Sequence, residues 1–310
     1  MCPEGIAREW VVMICDAHLH YVPPKIGIYT SFYHGLWQDK ERLFAFLQEN
    51  QIARSLLAYP TTDAYKRLRS HGEVAQIYNQ EMESLVKENS GIIACGILNS
   101  EDVNTLPAQI NELADHGFRA VSLASSVNGE FIVNRMAAAF KALQKNDMAV
   151  FIHPQTENPA GFDRIKDALL MPVLEYSFDL SLCLGLLMVE GVLEEFNIKF
   201  IFSSLGGSAP FLKDRFDRVY SMLRGRGMVK DLGKLPSAIL KRVYADTSGA
   251  TLENIKMAVD LFGEDKILWG SDYPVSGDIK ANLAMLDGLG ARIKEKIVRE
   301  NFLGVFPDRD

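Results

Sequence analysis

The sequence predicts a single (β/α)8 barrel, and three observations carry that expectation. Eight short β-rich runs recur along the 310 residues, each followed by an amphipathic stretch. Most of the runs are continuously apolar rather than alternating, as parallel strands buried on both faces are. No linker, low-complexity segment or short-period repeat divides the chain, whose length suits one such barrel. A doubly wound open sheet is the competing arrangement for the same alternation.

The elements follow in order. VVMICDAHLH (11–20) is the first strand, and an aromatic connection over 21–38 leads to a helix near 39–50. ARSLLAYP (53–60) precedes a long helix over about 63–89. GIIACGIL (91–98) precedes a helix over 102–116, and FRAVSLA (118–124) one over 134–146. MAVFIHP (148–154) leads into a helical region over 163–196, with breaks expected near Pro172 and Asp179. IKFIFSS (198–204) precedes a helix near 210–224. RVYADTS (242–248) precedes one at 251–263. KILWGSD (266–272) is the eighth strand, before the last helices to about 303. The long first connection would overhang the barrel mouth, where barrel enzymes bind their substrates.

Composition narrows the function classes. The chain is 48% hydrophobic and 24% charged, as expected for a globular protein with a large core. A net charge of −7 without any Lys/Arg-rich run argues against nucleic acid as a partner. Cys2, Cys15, Cys95 and Cys183 make no CxxC spacing, so buried thiols and a reducing cytoplasm are expected. The start, MCPEGIAREWVVM, has neither a cationic opening nor a long apolar stretch. It reads as an extension over 1–12 ahead of a barrel over 13–310. Apolar runs such as 182–189 are too short to span a bilayer, so no membrane partner is expected.

The chemistry gathers at strand ends. His18 and His20 close the first strand as DAHLH, and residues two apart on a strand share a side. His153 closes the fifth strand in FIHP, and Asp272 the eighth in WGSDYP. C-terminal strand ends form the active face of a barrel. Three imidazoles and a carboxylate suit Zn2+, or Mn2+ as a second choice. An open coordination position would hold a water whose pKa the ion lowers.

DAHLH, FIHP, SSLGG and ILWGSDYP, in this order and spacing, resemble the amidohydrolase superfamily. More narrowly they resemble its branch of aminocarboxymuconate-semialdehyde and aromatic-acid decarboxylases. The resemblance covers about 14–306. It implies one divalent metal held by His18, His20, His153 and Asp272, a carboxylated or carbonyl substrate, and a homodimer.

One motif departs from that pattern. The sixth strand of these enzymes usually ends in Ser-His-x-Gly-Gly, the His serving as acid/base. FSSLGG (202–207) places Ser204 there. A serine hydroxyl can donate or accept a hydrogen bond but cannot act unaided as a base at pH 7. The chemistry could do without that base, or another group such as His34 or Glu157 could replace it, or the site could be a weakened form. Gly206 and Gly207 are expected to make a tight turn, with Ser208 as a helix cap and Pro210 in the first helical turn.

Substrate clues are Trp37, His34 and Glu157, with Tyr29, Phe32 and Tyr33 as further aromatic walls. Lys25, Lys40 and Arg164 are candidate cations by position. The expected function is a metal-dependent hydrolase in which Asp272 takes the water's proton. The alternatives are a metal-dependent decarboxylase and a metal-binding barrel that is catalytically silent.

Overall fold

The computed structural model describes residues 13–62, 64, 67–68, 70–126, 130–131, 135–156, 159–160, 167–275 and 278–308. The extension over 1–12, with Cys2, and the candidates Glu157 and Arg164 lie outside the described residues. Eight strands form one parallel sheet in chain order: β1 (Ile14–His20), β2 (Ile52–Ala58), β3 (Ile92–Ile97), β4 (Ala120–Ala124), β5 (Ala149–His153), β6 (Phe200–Phe202), β7 (Tyr244–Asp246) and β8 (Ile267–Leu268). The seam between β8 and β1 is stitched by main-chain bonds. Ala17 N–H donates to the Trp269 carbonyl, Asp272 N–H to His18 and His20 N–H to Tyr273, each at 2.8 Å. The sheet thus closes toward a barrel, as the strand and helix alternation requires.

Most helices match their expected places. Lys40–Glu49, His71–Glu88, Leu106–Asp115, Ala137–Lys145, Lys213–Gly225 and Leu252–Phe262 lie between successive strands. Thr251 and Asn254 form a reciprocal capping box at the start of the last of these. The helix expected over 63–89 begins only at His71, where Ser70 caps it by accepting from Glu73 N–H.

The region after β5 corrects the sequence reading. A π-turn, Met171–Glu175, runs directly into the helix Tyr176–Val189. Pro172 sits in the first turn, where its missing N–H costs nothing. Asp179 breaks nothing. Its buried carboxylate accepts from the hydroxyls of Ser125 and Ser126 and from Ala160 N–H, tying the loops after β4 and β5 to this helix. The resulting stretch, Met171–Val189, is long and apolar enough by length and composition alone to cross a membrane, and it carries the buried acids Glu175 and Asp179. Its Leu180, Cys183, Leu184 and Leu187 are buried in the core. Phe178, Leu182 and Val189 on its other side line an apolar groove of about 1350 Å³ with Phe211 and Phe216.

One buried cluster fills the space between sheet and helices. A second takes Cys15, Ala17, Leu56, Cys95, Phe151 and Leu268 from the strands and joins them to Phe302 and Phe306 near the end of the chain. It fills the barrel interior, as layered side chains do in this fold. Cys15, Cys95 and Cys183 are free and buried. Burial pushes the Cys15 thiol up to about 12, so it is inert at neutral pH.

Candidate metal centre

β1 delivers its two histidines to one point. The pairing of β1 with β2 slips between Asp16 and Leu19, three residues of β1 spanning two of β2. Such an irregularity re-aims side chains at a barrel rim. His18 Nε2 and His20 Nε2 lie 2.9 Å apart. The nearest nitrogen of His153, at the end of β5, completes a trio of donor atoms all within 4.8 Å of one another. Asp272 Oδ1 stands 3.6 Å from His18 Nε2 and 3.4 Å from His20 Nε2. These separations bracket the edge of about 3.3 Å expected for a tetrahedron of ligands at ordinary zinc–nitrogen distances.

Each imidazole is set from behind. His18 Nδ1 donates to the Asp246 carboxylate at 2.8 Å, His20 Nδ1 to the Ala58 carbonyl at 2.8 Å and His153 Nδ1 to the Pro154 carbonyl at 2.9 Å. An acceptor behind each Nδ1 keeps the proton there and leaves Nε2 as the lone-pair donor. Three rings of one tautomer, converging on one point beside a carboxylate, fit a divalent ion. Asp272 adopts φ 58°, a left-handed conformation uncommon for a non-glycine residue. Its N–H bond to His18 holds it there. Gly270 is needed beside it, because a Cβ there would come within 2.8 Å of the His18 Cβ.

The electrostatics of the metal-free site distinguish His18, which a cation would have to deprotonate at Nε2, from the other two imidazoles. Burial alone would lower the His18 pKa, but the Asp246 carboxylate outweighs it and raises it to about 9. His20 and His153 lie below the ordinary histidine range because they are buried, with neighbouring imidazoles adding to the effect. Burial pushes Asp272 up, yet His18, His20 and His153 together bring it below the usual carboxylate range. Asp272 is therefore ionised at neutral pH.

Above this point opens a cavity of about 900 Å³. Trp37 stacks on the His20 ring, 5.6 Å between centroids and 24° between planes. Tyr33 meets Trp37 edge-on at 4.8 Å, and Phe32 meets Trp37 at 5.8 Å. Phe32, Tyr33 and Trp37 line the cavity; Tyr29 packs against the core. Other expected residues are elsewhere. His34 is exposed, against Gln38 Nε2 at 3.2 Å, and does not line the cavity. Lys40 pairs with Glu88 on the surface, and Lys25 is exposed outside the cavity. No described Lys or Arg lines it.

The FSSLGG turn divides its serines. Ser203 is fully buried. Ser204, at φ 47°, is exposed on the cavity wall. Gly207 makes a close approach that no other residue could, since a Cβ there would stand 2.1 Å from the Ser177 carbonyl oxygen. Ser208 caps no helix; its N–H donates to Ser181 Oγ at 2.8 Å. Pro210 does start a helical turn, Pro210–Leu212.

Sequence reasoning missed Asp246 and Ser248. Both lie in YADTS, and Asp246 ends β7 as an acidic residue at the active face, the placement that singled out Asp272. That signal was present and unused.

A family model described as "Amidohydrolase" matches residues 15–301. The chain belongs to the amidohydrolase family. Within it, the chain is 24% identical over 251 residues to 2-amino-3-carboxymuconate-6-semialdehyde decarboxylase of Dictyostelium discoideum, covering 76% of this chain and 68% of that protein. Among solved structures it resembles 5-carboxyvanillate decarboxylase from Novosphingobium aromaticivorans with bound manganese. The TM-score is 0.82 at 19% identity, over 96% of this chain and 97% of that one. It also resembles 2,6-dihydroxybenzoate decarboxylase from Rhizobium, with a TM-score of 0.80 at 16% identity, over 95% and 98% of the two chains. These structural likenesses show the same (β/α)8 barrel fold.

Proposed function

We propose that this amidohydrolase is a metal-dependent, non-oxidative carboxy-lyase acting on a small planar carboxylic acid. The observation that carries this reading is the set of decarboxylases among the chain's relatives, and the proton inventory of the cavity is compatible with it. Asp272 is the one carboxylate among the described lining residues, the three imidazoles are committed at Nδ1, and position 204 offers only a hydroxyl. Hydrolysis asks for two proton transfers, one from water and one to the leaving group. Loss of CO2 asks for one delivery, to carbon, which an ionised carboxylate makes only after taking a proton up. The carbon–carboxylate bond breaks, its electron pair stays on carbon, and carbon takes a proton. A single carboxylate that takes up one proton and gives it back can serve either reaction, so it is the decarboxylases among the relatives that favour the second, and the expectation of hydrolysis yields to its alternative.

His18, His20, His153 and Asp272 would hold the ion, with zinc and manganese both compatible with nitrogen and oxygen donors. When bound, a divalent ion supplies Lewis-acid polarisation of the acid's oxygens. Asp272 rests ionised, so the proton it delivers to carbon is one it has first taken up from the bound acid or cavity water. Trp37, Tyr33 and Phe32 would hold a planar ring over the imidazoles and exclude water from the departing carboxylate.

The test is to load the protein with Mn2+ or Zn2+ and offer hydroxybenzoates alongside simple esters, lactones and amides. CO2 release dependent on the metal is expected. Ester, lactone or amide cleavage without CO2 release would overturn the reading.

A further inference from the structure

The corner where β6 and β7 end holds a hydrogen-bond chain whose polarity can be worked out proton by proton. Asp246 Oδ2 accepts from His18 Nδ1. Asp246 Oδ1 accepts from Ser204 N–H at 3.1 Å, Ser248 N–H at 2.9 Å and Ser248 Oγ at 2.6 Å. A carboxylate with four donors is filled as an acceptor. The Ser248 hydroxyl proton is therefore spent on Asp246, which leaves Ser248 Oγ with lone pairs only. Ser204 Oγ stands 3.2 Å from it and must be the donor of that pair. Ser204 N–H shares the same direction, also reaching Ser248 Oγ at 3.2 Å. The Ser204 proton thus points back into the wall, and its lone pairs face the cavity.

We propose that Ser204, backed by Ser248 and Asp246, is a specificity-determining acceptor for a hydroxyl or amino group of the substrate, carried beside the reacting carboxylate. The chain from the buried Asp246 charge strengthens the outermost oxygen as an acceptor, because aligned hydrogen bonds polarise one another. The same charge disfavours a second carboxylate at this corner, where no described Lys or Arg would offset it. Where an imidazole would supply a proton-transfer group, this wall reads a donor. The inference rests on the carboxy-lyase reading for the placement of a planar acid in the cavity.

The experiment compares ligands on the metal-loaded protein by calorimetry, using 2-hydroxybenzoate, 2-aminobenzoate, 2-methoxybenzoate and benzene-1,2-dicarboxylate. The wild type is expected to bind the two donors about tenfold tighter than the methoxy compound, the size of one good hydrogen bond, and the dicarboxylate most weakly. Ser204→Ala should bring the donor-to-methoxy ratio to about one while leaving methoxybenzoate affinity unchanged. Ser204→Gly, which suits the positive φ, is the second variant should the first not fold. A ratio that survives in both variants, an equal loss of all four ligands, or no binding to the wild type would overturn the proposal. CO2 release with no donor preference would sink this inference alone. Donor preference without CO2 release from any hydroxybenzoate would sink the carboxy-lyase reading and leave Ser204 as a donor-reading residue.

Discussion

At the end of β1, two imidazoles are each fixed from behind, by Asp246 and by the Ala58 carbonyl, so that their lone pairs meet 2.9 Å apart. At the end of β6, the same cavity is bordered by a serine in a left-handed turn, its hydroxyl drawn back toward Ser248. One end presents electron pairs to a cation; the other presents an electron pair to a ligand's proton. Asp246 touches both, with one carboxylate oxygen on His18 and the other on the serines. The difference teaches that a strand end without a titrating group can border an intact set of converging imidazoles.

The largest effect belongs to the β1 end. Replacing His18 or His20 with Ala removes a nitrogen ligand that no nearby described group can supply. Metal content measured by mass spectrometry should fall to background, and CO2 release by about a thousandfold or more, since the ion supplies the polarisation on which the reaction depends. Full metal occupancy in both variants would show that these imidazoles are not ligands.

Asp272→Asn comes next. Asparagine keeps an oxygen toward the imidazoles but cannot carry a proton. Activity should drop about a hundredfold to ten-thousandfold, while metal content stays well above that of the histidine variants. Loss of metal and activity in parallel would reduce Asp272 to a ligand alone.

Much of this site could be read in the sequence. Ligand-type residues at the ends of β1 and β5, and in the turn four residues beyond β8, needed only strand parity at β1 and the rule that barrel chemistry lies at the C-terminal face. The barrel followed from eight continuous apolar runs. What could not be read was contact between distant residues. Asp246 lies 228 positions from His18, and no local pattern says which acceptor stands behind an imidazole. The break expected at Asp179 failed for the same reason. A mid-helix acid looks like a helix end until Ser125, Ser126 and Ala160 are seen to satisfy it. His34 was drawn into consideration by its loop position, but its exposed seat beside Gln38 is set by the turn at Gly35–Gln38.

The two corners also separate by pH. The His18 pKa of about 9 in the fold exceeds its ordinary 6.5. The imidazolium therefore stabilises the metal-free protein fully below pH 6.5, and that contribution is lost as pH rises through 9. A metal needs the deprotonated Nε2, so it competes with that proton. Metal affinity should rise with pH up to about 9, by at most tenfold per unit, and the metal-induced gain in Tm should grow over the same window. His20 and His153, both lowered, are already neutral at pH 7 and add no dependence there. A flat affinity profile between pH 6.5 and 9 would mean that Asp246 does not hold a proton on His18. Asp246→Asn should then weaken metal binding about tenfold to a hundredfold, in the manner of other groups that orient a ligand, and should flatten the profile.

The smallest effect is the most informative about β6. Ser204→His restores the imidazole usual in related enzymes to a position whose φ of 47° histidine tolerates better than most residues. If the site were a weakened form, activity should climb a hundredfold. The geometry argues otherwise. An imidazole at 204 would lose the backward hydroxyl bond to Ser248 and fill space on the wall where a substrate donor would sit. Activity toward hydroxybenzoates should fall by about tenfold, and the preference for 2-hydroxy over 2-methoxy compounds should vanish. Metal content should be unchanged, because Asp246 keeps its second oxygen on His18. An increase in rate would place the lost function at β6 and make its serine a lesion; a fall confined to the donor ligands would make it a reader of the substrate.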